Sequence, residues 1–116
     1  MKRGYVPDSG DLVWVSFDPQ SGHEQAGRRP ALVISPRSYN EKVGLALACP
    51  ITSKVKGYPF EVEANSSRVR GVVLADQIRS LDWRSRQFTF IEQAAPETLV
   101  AVVQTLRTLL PLIEDE

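Results

Sequence analysis

Asp11-Leu12-Val13-Trp14-Val15-Ser16-Phe17 reads as a β-strand with apolar side chains on both faces. Successive side chains alternate across a strand, so Leu12 and Trp14 share one face while Val13, Val15 and Phe17 share the other. A strand wetted on one side would alternate apolar with polar residues. This one does not, so it is expected to lie centrally in a sheet, covered on both sides. Trp14 is accordingly assigned to the core or a subunit interface rather than to a base-stacking platform. Before the strand, Pro7-Asp8-Ser9-Gly10 ends a short tail over residues 1–10 in a turn. After it, Asp18-Pro19-Gln20-Ser21-Gly22 breaks the strand.

Further along, Ala31–Ile34 is a short β-branched run and reads as the second strand. Ser35-Pro36 suits an N-cap and first helical residue, predicting one helical turn over Pro36–Asn40. Gly44–Ile51 is the third strand, with Leu45, Leu47, Cys49 and Ile51 on one face. The small Ala46 and Ala48 on its other face predict close approach of another element. Cys49 reads as a small buried hydrophobe rather than a reactive thiol. Phe60–Glu63 alternates, Phe60 and Val62 in, Glu61 and Glu63 out. Gly71–Ile78 reads as one more strand, with Val72, Leu74 and Ile78 on the face that carries Asp76. An acid there needs a hydrogen-bonding partner, and bracing the loop arginines or another strand is the favoured role. Leu81–Arg86 turns the chain and Gln87–Ile91 forms the last strand. Pro96 and Glu97 suit the first turn of a helix. Leu99, Val102, Val103, Leu106, Leu109 and Leu110 then form one apolar stripe that Pro111 stops. Five or six short strands and one terminal helix predict a small, strongly bent antiparallel sheet or half-open barrel.

The 116 residues, 42% of them hydrophobic and 24% charged, fit one ordinary globular domain. No apolar run approaches the ~18 residues of a membrane span. Met1-Lys2-Arg3-Gly4-Tyr5 lacks the apolar core of a signal peptide, and a single cysteine fits a reducing cytoplasm, so a cytoplasmic location is expected. One histidine and one cysteine do not make an ordinary zinc site. Net charge is zero, against a bulk electrostatic nucleic-acid binder. The charge is unevenly distributed, however. Residues 1–90 hold 13 of the 14 Lys+Arg and 9 of the 14 Asp+Glu, a net of +4, and residues 91–116 carry the balancing −4. A local basic face after folding is compatible with this, as is a solvated surface of mixed charge.

The chemistry gathers in Gly22-His23-Glu24-Gln25-Ala26-Gly27-Arg28-Arg29-Pro30, which places an acid, the only histidine, an amide and two guanidiniums between two apolar runs. A carboxylate can accept the proton of an attacking hydroxyl, and a planar arginine fork can hold phosphate oxygens bidentately. A Glu–Arg salt bridge across a surface loop would produce the same spacing. Thr52-Ser53 at a strand end, followed by Lys54-Val55-Lys56-Gly57-Tyr58-Pro59, is equipped to contact phosphates. These are also ordinary turn residues.

Taken together, the blocks identify a resemblance. Gly10–Val15, Asp18-Pro19, Gly22–Gly27, Arg29–Ser35, Pro50–Ser53, Lys56–Phe60 and Gly71–Arg79, in this order over roughly residues 4–110, closely resemble the MazF/PemK family of bacterial toxin endoribonucleases. The resemblance implies a mainly β fold, an SH3-like barrel with a C-terminal α-helix, as a single domain over residues 1–116. It implies a homodimer and a cognate antitoxin that blocks the site. It further implies metal-independent, cofactor-free cleavage of single-stranded RNA, commonly messenger RNA, within a short sequence, leaving 2′,3′-cyclic phosphate and 5′-hydroxyl ends. Without a metal cluster in the sequence, such an enzyme would use the RNA 2′-hydroxyl as nucleophile. Glu24 is then the base, Arg29 stabilises the phosphorane and Thr52 contacts the scissile phosphate. The implied RNA contacts are His23, Gln25, Arg28, Lys54, Lys56, Asp76, Gln77, Arg79 and Arg86. His23 stands where relatives have serine or histidine; it either contacts RNA or donates to the leaving oxygen. Residues Thr52–Gly57 and Asn65–Arg70 vary most and would help select bases. A non-catalytic toxin of the same fold, inhibiting a protein such as DNA gyrase, is the alternative; such toxins lack the Glu24/Arg29 pair. A plain RNA-binding module would need exposed stacking aromatics, whereas Trp14, Phe17, Phe60, Phe88 and Phe90 sit in patterns that read as core.

Overall fold

The computed structural model describes residues 4–16 and 28–111. In them the chain forms β1 (Asp11–Ser16), β2 (Arg28–Val33), α1 (Arg37–Val43), β3 (Leu45–Thr52), β4 (Glu61–Glu63), β5 (Val72–Leu74), β6 (Arg79–Asp82), β7 (Thr89–Gln93) and α2 (Pro96–Arg107). The strands make one antiparallel sheet in the order β4-β5-β3-β2-β1-β7, with β6 also on β3, and the path does not close on itself. The fold is mainly β, as expected, a bent sheet rather than a sealed barrel.

β1 is central, as its two apolar faces predict. It pairs with β2 on one side, Leu12 opposite Leu32, and with β7 on the other, where the register shifts between Leu12 and Val13. Each face covers its own core. Leu12, Leu32, Cys49, Ile51, Val73 and Ile91 pack together under α2, whose Val102 is fully buried and whose Leu99 lies beside them. Val13, Val15, Ala31, Val33, Ala46, Ala48, Leu81, Trp83 and Phe88 form the second core. The alanines of β3 therefore face a tightly packed layer, as their size predicts. Cys49 is buried, and that burial followed by the charge of Asp76 pushes its thiol up to about 12.

Several boundaries differ from expectation. β2 begins at Arg28 because its ladder with β1 continues to Ser16 opposite Arg28. Pro30 is accommodated because pairing with β3 starts only at Ala31, where an N–H is first needed on that side. The turn expected at Pro36–Asn40 is the longer helix α1, ended by Gly44 in the left-handed region at φ 83°. Ser35 does not cap it. Its hydroxyl instead bonds buried Asn40 and accepts the Leu47 amide, while Asn40 also donates to Pro7 and Ser35 carbonyls.

The strand expected over Gly71–Ile78 is the shorter β5, ended by a 3₁₀ turn at Ala75–Gln77 that leads into the separate strand β6. Ile51 faces Val73, so an unbroken strand would set Ala48 opposite Asp76; the observed partner is Arg79. The turn absorbs the difference and takes Asp76 out of the ladder. Leu81 and Asp82, expected in a turn, accordingly belong to β6, and the last strand runs Thr89–Gln93 rather than Gln87–Ile91. α2 starts at Pro96 as expected but ends at Arg107, leaving Leu109 and Leu110 exposed. Phe90, expected to be core, is 46% exposed, and Trp14, assigned to the core or a subunit interface, is 39% exposed in the single chain. No helix among the described residues is long and apolar enough to cross a membrane.

Candidate active site

Arg29 lies on β2 and Thr52 ends β3, two neighbouring strands of the sheet. Both line a cleft of about 460 Å³, together with Lys54, Lys56, Tyr58, Glu61, Leu74 and Gln77. A second concavity of about 390 Å³ shares Arg29, Thr52 and Lys54 and adds Ser53 and Arg70. Arg29 thus projects from a strand rather than a loop, so its base is fixed by the ladder even though its side chain is exposed.

Thr52 is held from two directions. Its hydroxyl oxygen accepts the Lys54 amide at 3.1 Å, a tight local turn that leaves the hydroxyl proton free to donate elsewhere. Its carbonyl is approached by Gly71, at φ 127°, so closely that a Cβ there would collide with it. The basic loop beyond Thr52 is clasped by Glu61, which accepts the amides of Lys56 and Gly57 at 3.0 and 3.1 Å. A carboxylate gripping two backbone donors orders this loop and presents the lysines beside it. Tyr58 donates its hydroxyl to Asp76 Oδ2 at 3.0 Å and packs against Phe60 at 5.6 Å between centroids. That hydrogen bond raises the Tyr58 phenol above its ordinary value, so it stays protonated at neutral pH. Asp76 Oδ1 is buried without a hydrogen-bond partner among the described residues. Asp76 therefore braces Tyr58, where the loop arginines or another strand were expected.

Of the residues singled out in the sequence, the cleft brings together Arg29, Thr52, Lys54, Lys56 and Gln77, with Asp76 behind Tyr58. His23, Glu24 and Gln25 lie outside the described residues. Arg28 points to the opposite face of β2 from Arg29. Its guanidinium donates to the Ser16 hydroxyl at 2.8 Å, the Gln87 carbonyl at 2.7 Å and the Thr89 hydroxyl, tying β2 to β1 and β7. Arg79, exposed on β6, and Arg86, in the turn after it, do not line either concavity. Tyr58, Glu61 and Gly71 complete the site, and no role was assigned to them from the sequence. Tyr58 had a readable signal, an aromatic in a Gly-Tyr-Pro loop outside any apolar period. Glu61 and Gly71 act through backbone contacts that no residue pattern records.

The family described as the PemK-like, MazF-like toxin of type II toxin–antitoxin systems matches residues 8–110. The chain is 50% identical over 110 residues to the endoribonuclease toxin MazF of Escherichia coli strain K12, covering 95% of this chain and 99% of that one. It is 34% identical over 116 residues to the Escherichia coli endoribonuclease PemK, covering 95% and 86%. Among solved structures, a MazE–MazF crystal structure from Deinococcus radiodurans superposes with a TM-score of 0.87 at 56% identity, covering 92% of this chain and 97% of that one.

Proposed function

This chain belongs to the PemK-like, MazF-like toxin family of type II toxin–antitoxin systems, and on that premise we propose that it cleaves single-stranded RNA by internal attack of a 2′-hydroxyl. It is an endoribonuclease, with RNA as substrate and a cognate antitoxin as partner. The observation that carries the reading is the meeting of Arg29 and Thr52 at one cleft, flanked by Lys54 and Lys56.

In the proposed reaction the Glu24 carboxylate accepts the proton of the 2′-hydroxyl, and the 2′-oxygen attacks the adjacent phosphorus. Negative charge develops on the non-bridging oxygens of the phosphorane. Arg29 meets that charge with a rigid, permanently ionised fork. Thr52 donates its free hydroxyl proton to one of the same oxygens, its lone pair being engaged by Lys54 N–H. The P–O5′ bond breaks and the leaving oxygen takes a proton from solvent water to become the 5′-hydroxyl, leaving a 2′,3′-cyclic phosphate, and no step calls for a metal or cofactor. His23 and Gln25 contact the RNA, and Lys54, Lys56 and Gln77 hold the strand along the cleft. Arg28 serves to brace the sheet. Arg79 and Arg86 take up phosphates only where a longer strand leaves the cleft. The toxin acts as a homodimer of single 1–116 domains in the cytoplasm, on messenger RNA.

Incubating the purified protein with a long single-stranded RNA in excess EDTA tests this reading. Discrete cuts with cyclic-phosphate ends are expected. Glu24→Ala is expected to lose roughly 10²–10⁴-fold and Arg29→Ala roughly 10²–10³-fold in turnover, both still sedimenting at twice the chain mass. Activity that requires added Mg²⁺, or near-normal turnover by both variants, would overturn the mechanism. RNA left intact at every protein concentration would favour the gyrase-type alternative.

A further inference from the structure

The cleft is polarised. Arg29, Thr52 and Lys54 occupy the end shared with the second concavity, where hydroxyl and cationic groups suit a phosphate. The rest of the lining includes Tyr58, Leu74 and Gln77, an aromatic ring, an aliphatic side chain and a neutral amide, beside the charged Lys56 and Glu61. Tyr58, Leu74 and Gln77 suit a nucleobase, which has an apolar face and a hydrogen-bonding edge, while Lys56 beside them can meet a flanking phosphate.

Tyr58 is the unusual member. Tyr58 lines the cleft with the residue 46% exposed. It is not loose either: its hydroxyl is anchored on Asp76 and Phe60 packs against it edge-to-face. Gly57, at φ 77°, and Pro59 flank it in the loop that Glu61 clasps. A ring held at its polar tip and on its neighbour's edge, with nearly half its surface open, is preorganised to receive another flat group.

We infer that Tyr58 is the base-stacking residue of this cleft, and that Asp76 is the positioning residue that holds its ring. The inference rests on the reading of the cleft as an RNA site and deepens it: a phosphate sits at Arg29, Thr52 and Lys54, and a neighbouring base lies on Tyr58. Stacking tolerates any base, so Tyr58 supplies affinity and register, and Gln77, exposed beside it, presents donor and acceptor to the base edge.

The test uses the full-length protein and a 2′-deoxy oligonucleotide copying a sequence that the wild type cuts, so that binding is measured without cleavage. Failure of the wild type to cut any RNA would strike the underlying reading, before Tyr58 is reached. Given cutting, Tyr58→Leu is expected to lose roughly 5- to 150-fold in affinity, with the dependence of binding on salt unchanged, because no phosphate contact is removed. Tyr58→Phe keeps the ring and loses only the hydroxyl, and Tyr58→Trp keeps a flat aromatic face, so each should lose less than about 5-fold. Asp76→Ala should match Tyr58→Phe, and Asp76→Asn, which can still accept from the phenol, should restore binding. Equal losses in Tyr58→Phe and Tyr58→Leu would make Tyr58 a merely structural hydrogen-bond donor and overturn the inference. So would unchanged oligonucleotide binding by Tyr58→Leu, including the case in which that variant instead loses affinity for the antitoxin.

Discussion

Gly71 shows how much a single position can control at a distance from the chemistry. Its backbone runs against the Thr52 carbonyl at a φ that side chains rarely adopt, so two separate constraints exclude any other residue. Gly71→Ala must move either the start of β5 or the end of β3, because the obstruction is backbone and not the tip of a flexible side chain. The expected result is a loss of about 1–3 kcal/mol in stability, read as a lower urea midpoint. A fall in kcat larger than the rise in KM is expected beside it, since a displaced Thr52 hydroxyl would be missed most where charge develops. An unchanged urea midpoint would mean that the strands part freely there. The neighbours Arg28 and Arg29 teach a related lesson. Adjacent guanidiniums look interchangeable in a row of letters, but strand alternation sends one to brace β1 and β7 and the other into the cleft. That division follows from β2 beginning at Arg28, a boundary obscured by Pro30.

Among the elements, the connection Asn65–Arg70 depends most visibly on one carboxylate. Glu92 on β7 accepts the Ser67 hydroxyl at 2.8 Å and the Arg68 amide at 2.9 Å. The hydroxyls of Ser66 and Ser67 and the Arg68 amide together hold the Glu92 carboxyl below its ordinary value, although Ser66 Oγ is itself bonded to Val69. A depressed carboxyl contributes its hold above the ordinary range, near 4.5, and loses it as pH falls through the lower folded value. Protection of the Arg68 amide and its neighbours against exchange, taken relative to the intrinsic rate at each pH, should therefore fall on acidification below about pH 4, before the sheet amides are exposed. Glu92→Gln should remove that pH step. If the step persists in the variant, another group holds the loop. The elements legible in the sequence were those carried by periodicity: the two-faced β1, the alanines of β3, and the start of α2 at Pro96. What escaped was set by pairing between distant segments. The break at Ala75–Gln77 and the separate strand β6 arise because one edge of β3 serves two partners in different registers. Likewise the polar order around Asn40, where Ser35 and Pro7 converge, replaces the N-cap that Ser35-Pro36 predicts. The site was half legible for the same reason. Arg29 and Thr52 stand in recognisable blocks, whereas Tyr58 and Asp76 become partners only across the fold.

For the whole molecule, a net charge of zero has to be reconciled with binding a polyanion. The fold does this by concentration. Arg29, Lys54, Lys56 and Arg70 gather around the two adjoining concavities against one lining carboxylate, Glu61, while other acidic residues such as Glu92 and Glu97 belong to β7 and α2. A small local cluster on a neutral body predicts modest steering at long range and a shallow dependence of affinity on salt. With the four cations around the concavities each engaging one phosphate, the logarithm of affinity for a single strand should fall with the logarithm of salt at a slope of roughly −3, about 0.7 for each phosphate engaged. Lys56→Ala should reduce that slope by about 0.7, whereas Tyr58→Leu should lower affinity at every salt concentration and leave the slope alone. The two variants thus separate charge from stacking on the same titration. A wild-type slope near −4 would mean that about six phosphates are engaged. The strand would then run beyond the cleft, over Arg79 and Arg86, and the charges outside the concavities would belong to the binding surface.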